Sequence, residues 1–74
     1  MFKELQQIHR AIAEVAQRIA KQQQIVAKSV RLGRDTTQAR ILLATLRSSQ
    51  VEYEHRRVML IAQITNAELR AVRN

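Results

Sequence analysis

Ser29-Val30-Arg31-Leu32-Gly33-Arg34-Asp35-Thr36-Thr37-Gln38 is the stretch that decides the fold of this 74-residue chain. Gly33 is the one glycine, and the chain contains no proline. Glycine takes the left-handed conformation without steric cost, so Gly33 is where a helix should be capped and stopped. Lys28 and Arg31 precede it, where positive charge suits the C-terminal end of a helix dipole. Asp35, with Gln38 three residues on, reads as an N-cap and its capping-box partner, opening a second helix. A stop two residues from a start makes the two helices run antiparallel.

Upstream of the turn, Leu5, Ile8, Ile12, Val15 and Ile19 are spaced 3, 4, 3 and 4. That is the seam of a helix packing along its length. Gln22 takes the next seam position, and apolar residues resume at Val26 and Val30. Downstream, Ala39, Leu42, Leu43, Leu46, Tyr53, Leu60, Ile61 and Ile64 project to one face, with Val51, Val58, Leu69 and Val72 in a second stripe roughly a third of a turn away. The expected architecture is all-α, a single antiparallel two-helix hairpin over residues 1–74. Helix 1 covers about 3–32, the turn 33–35, and helix 2 about 36–72. Folding at Gly33 would set Val26 against Leu43, Gln22–Gln23 against Leu46–Gln50, Ile19 against Gln50–Tyr53 and Ile8 against Leu60–Ile64. The inner faces would then turn polar together at Gln22, Gln23, Ser49 and Gln50. Arg57 is a further polar residue on helix 2's apolar face, its stem packing while its head reaches water.

A chain this short builds one small core, and no cysteine is present to staple it. The second stripe would stay exposed on a lone hairpin, so pairing of two copies into a homodimeric four-helix bundle is expected. The residues assigned to association are Ile12, Val15, Ile19, Leu46, Tyr53, Leu60, Ile64, Val51 and Val58.

Apolar residues make up 46% of the chain, nearly all Ala, Ile, Leu and Val, with Phe2 and Tyr53 the only aromatics. Such a composition fills seams between helices and lacks the aromatic platform of a single-strand binder. The opening residues contain no secretory-signal apolar run, because Lys3, Glu4, Gln6 and Gln7 come at once. Val58–Ala62, the longest apolar run, is far short of the ~20 residues that span a bilayer. A cytoplasmic location is expected.

Chemistry has few footholds. Glu52 and His55 share the Glu-x-x-His spacing of carboxylate-bridged metal proteins, but both project away from the apolar face. His9 flanks helix 1's seam with no acid or nucleophile set to work with it. Ser29, Ser48 and Ser49 lack a nucleophile elbow, and one glycine cannot form a phosphate-cradling loop. No enzyme activity, cofactor or metal is expected.

Charge says more. The net charge is +7. Arg18, Lys21, Lys28, Arg31, Arg34, Arg40 and Arg47 face Asp35 alone between residues 18 and 47, a balance of +6, and the remaining residues carry +1. A hairpin would gather that charge at its turn end. Lys28, Arg31, Arg34, Arg40 and Arg47 are the candidate contacts for an acidic protein or a nucleic-acid backbone. Binding there would be sequence-tolerant, since no recognition-helix layout is present.

Three segments together resemble a group of small helical proteins of alphaproteobacteria, especially rhizobia and their relatives. They are Ile12-Ala-Glu-Val-Ala-Gln-Arg-Ile-Ala-Lys-Gln, Gly33-Arg-Asp-Thr-Thr-Gln-Ala-Arg-Ile-Leu-Leu-Ala-Thr-Leu and His55-Arg-Arg. The resemblance covers roughly residues 5–64 and implies a short cytoplasmic helical hairpin with no assigned activity. Arg57 stands where an acidic or polar residue is common in that group.

Overall fold

A computed structural model describes residues 2–73. It consists of α1 (Phe2–Arg31) and α2 (Thr37–Arg73), packed against each other along their length. The Cα envelope measures 65 × 15 × 12 Å, a rod two helices thick. This is the all-α antiparallel hairpin that the turn signals dictate.

The reversal is built by backbone. Gly33 adopts φ +68°, the left-handed region. Its N–H donates to the Val30 carbonyl at 3.1 Å, and the Arg34 N–H donates back to the Ser29 carbonyl at 2.9 Å. These two bonds define a Schellman motif, which satisfies carbonyls that the end of α1 would leave without partners. The chain then leaves through Arg34, Asp35 and Thr36. The Thr36 carbonyl accepts the first bond of α2, from the Arg40 N–H at 2.9 Å.

Each helix buries one stripe. On α1 it runs through Leu5, Ile8, Ile12, Val15, Ile19, Gln22, Val26 and Ser29, all buried or half-buried. On α2 it runs through Ala39, Leu43, Leu46, Gln50, Tyr53, Arg57, Leu60 and Ile64. Both series alternate steps of three and four without interruption, the period of a left-handed coiled pair. Two expectations change here. Val30 is exposed, and Ser29 holds the last seam position of α1. Leu42 and Ile61 also lie outside the seam and are exposed. Gln50 and Arg57 sit within the seam, on the inner face where the sequence places them.

The register also differs from the expected one, by about one helical turn. Gln22 is only 7% exposed, its side-chain amide donates to the Ala39 carbonyl at 3.0 Å, and it lines one concavity with Leu42 and Leu46. Ile8 shares a concavity with Tyr53 and Arg56, and Tyr53 lines another with Ala11 and Val15, in place of the expected Ile19. The Schellman motif explains the shift. By folding Arg34 back onto Ser29, it starts the return beside the last turn of α1 instead of beyond it. Gln23 is exposed, so the expected polar layer contracts to Gln22 on a backbone carbonyl, with Ser49 and Gln50 half-buried further along α2. Arg57 is likewise half-buried. No buried side-chain polar atom among the described residues lacks a partner.

A Cβ added at Gly33 would meet nothing within 4 Å, so substitution there reports backbone strain alone. Gly33→Ala should cost about 1 kcal/mol in urea unfolding, and Gly33→Asn less, since asparagine tolerates the left-handed region better. Gln22→Ala removes the interhelical clasp and should cost about 1–2 kcal/mol in the same measurement.

Candidate interaction surfaces

The turn end presents its charges openly. Lys28, Arg31, Arg34, Arg40 and Arg47 are all exposed, as are Arg18 and Lys21 below them. Arg40 is oriented locally, its Nε donating to the Thr36 Oγ1 at 2.9 Å. The other positions follow from the helices, since the last turn of α1 and the first turns of α2 lie side by side at this end.

Asp35 is the one acid within the basic segment, and it is occupied by its own turn. Its Oδ1 accepts from the Thr37 N–H at 3.0 Å and from the Thr37 hydroxyl at 2.7 Å. Those two donors, the hydroxyl foremost, hold the carboxyl below its ordinary value. Asp35 therefore does satisfy a free N–H at the start of α2, as the sequence indicates. It does so from one position further out, because Thr36 supplies the first helical carbonyl. Among the described residues no hydrogen bond returns from Gln38, so the reciprocal half of the capping box is not made.

The residues assigned to association divide into two sets. Ile12, Val15, Ile19, Leu46, Tyr53, Leu60 and Ile64 are buried or half-buried between α1 and α2. The hairpin uses them internally, because its seam needs one full stripe from each helix. Val51 and Val58 are 65% and 59% exposed, with Leu69 and Val72 further along the same helix also uncovered. The outer surface available for contact lies on α2.

The concavities are shallow. One, of about 570 Å³, is a furrow on the outer surface of α1 between Glu14, Gln17, Arg18, Ala20, Lys21 and Gln24. A second, of about 320 Å³, lies along the helix junction near the turn and is mostly apolar, with Ile25, Leu42 and Leu46 beneath Arg18 and Lys21. Neither is an enclosed pocket. Glu52, His55 and His9 are exposed, and no group of three or more potential metal ligands converges among the described residues. None of the described helices is long and apolar enough to cross a membrane.

No protein-family model matches this chain, and neither the curated proteins nor the solved structures contain one similar to it.

Asp35 gives a pH signature for the turn. A carboxylate whose value is lowered by folding stabilises the fold above its unfolded value of about 4, and loses that effect as pH falls through the folded value. Asp35→Ala should therefore melt below the unaltered protein at pH 7. The gap between the two melting curves should close as pH is lowered from about 4.

Proposed function

We propose that this chain is a non-enzymatic helical interaction module that associates with itself, in a cytoplasmic setting like that of the alphaproteobacterial hairpins it resembles. One observation carries the reading. Among the described residues the hairpin buries four large apolar side chains, Ile8, Val15, Ile19 and Leu60, and leaves twelve exposed. A core of that size in so short a chain supplies no more than about 3–5 kcal/mol. Covering the exposed side chains in a second interface adds the burial that two helices cannot provide for themselves. Sedimentation equilibrium across the micromolar range tests this. A dimer or small closed oligomer is expected, and a monomer of full helicity at every concentration would overturn it.

A second reading rests on a different observation, the five exposed cations Lys28, Arg31, Arg34, Arg40 and Arg47 around the turn. They supply donors and positive potential for phosphates, in an arrangement suited to the backbone and indifferent to sequence. Changing Arg31, Arg34 and Arg40 to Glu should abolish duplex DNA binding at low salt. In the unaltered protein the logarithm of affinity should fall with that of salt by about 0.9 for each phosphate contacted. Absence of binding at low salt, or binding unaffected by the triple change, removes this reading.

A further inference from the structure

The two helices are not equivalent. α1 is strongly amphipathic, and α2 hardly at all. The reason lies in how the exposed residues of α2 are spaced. Ile41, Val51, Val58, Leu69 and Val72 belong to one unbroken series of steps of three and four. Ala44 and Ala62 fill two of the intervening places, Ser48 and Thr65 two more, and His55 the last. Every residue of the series is exposed, and none is an acid, lysine or arginine. At the ~103° per residue of a heptad helix, the series lies about 150° around α2 from the seam against α1. So α2 carries two seams on nearly opposite sides, and α1 covers only one.

The length and period of this second seam specify its partner. It extends over 31 residue steps, about 47 Å, at heptad spacing. A straight helix of matching length and period is needed to cover it, and α2 of another copy is such a helix.

The charges beside the seam specify direction. Along one edge stand Arg40, Arg47, Glu54, Ile61 and Glu68, and along the other Glu52 is the one charged residue between Gln38 and Asn66. Along these edges positive charge stands at residues 40 and 47 and negative charge at 52, 54 and 68, whereas Arg56, Arg57 and Arg70 lie elsewhere on the helix. Antiparallel alignment brings the Arg40 edge of one copy to the Glu68 edge of its partner, and each basic turn end beside the nearly neutral end of the other. Parallel alignment would place two +6 turn ends side by side.

Resting on the self-association reading, we infer that two hairpins pair through the outer face of α2, antiparallel, with α1 of each copy on the outside. The register that sets the small Ser48 against the branched Val58 defines the remaining layers. With Ser48 of each copy opposite Val58 of its partner, Ile41 meets Thr65, Ala44 meets Ala62, and Val51 meets His55. The Ser48–Val58 and Ile41–Thr65 layers set a smaller residue against a larger one, Ala44–Ala62 lets the backbones approach, Leu69 falls opposite Thr37 at the start of the partner's α2, and the two-fold axis passes at the level of residue 53.

Cysteine pairing tests the face, the direction and the register together. The chain has no native thiol, so Ser48→Cys and Val58→Cys introduce one reactive group per molecule. Under mild oxidation, an equimolar mixture of the two variants should form a covalent heterodimer, while each variant alone stays predominantly non-covalent. Disulfide dimers from either variant alone would overturn the antiparallel arrangement. A non-covalent dimer that never cross-links in the mixture would overturn the face. An unaltered protein that sediments as a monomer would instead defeat the self-association reading beneath both. Val58→Glu gives a second measurement, with the dimer dissociation constant expected to rise at least tenfold. A dimer left at its original affinity by that change contradicts the proposal.

Discussion

Two helices can share only one stripe each, and every other property of this molecule follows from that limit. The shared seam consumes a series of residues on α1 that alternates threes and fours from Leu5 to Ser29, and a matching series on α2 from Ala39 to Ile64. Helix 1 has little else that is apolar at regular spacing, so the seam exhausts its hydrophobic face. Helix 2 has as much again on its far side. An unequal pair of this kind is a folded hairpin with an open position beside α2.

Polar residues within the seam restrain it rather than weaken it. Gln22 sits where an apolar residue would continue the pattern, and its amide reaches the Ala39 carbonyl on the opposite helix. Sliding the helices by a turn would bury that amide without a partner, at a cost that a leucine seam would not incur. Arg57 and Gln50 lie farther from the turn, half-buried, where long side chains can pack their stems and direct their heads to water. The register is thus held near the turn by a Schellman motif and a single amide, with tolerance growing toward the free ends.

The turn was legible in the sequence because its signals are local. Gly33 and Asp35 each act on backbone groups within a few residues, and the hairpin, its direction and its approximate bounds follow from them. The register was not legible, because it depends on how far the Schellman motif folds Arg34 back, a three-dimensional displacement that spacing does not encode. Gln50 and Arg57 were legible as polar residues on helix 2's inner face, and both are half-buried there, as long side chains that pack their stems can be. Val51, Val58, Leu69 and Val72 stood out as a stripe, whereas Ile41, Ala44 and Thr65 joined it only once the α1-facing seam had been drawn and what remained could be seen to have the same period. The five cations at the turn were legible as a cluster, because a hairpin brings residues 28–47 to one end wherever the register falls.

The shape of the rod has a consequence for how the protein moves. With a Cα envelope of 65 × 15 × 12 Å, friction in solution is set by length far more than by mass. A second copy lying alongside, head to tail, would double the mass while adding little length. The heavier particle would be less elongated than its half, and would diffuse more nearly as a compact body does. Its opposed charged ends would also cancel one another's electric dipole moments. Alone, a hairpin with its cations at one tip turns in an electric field, whereas the pair has no preferred end to turn.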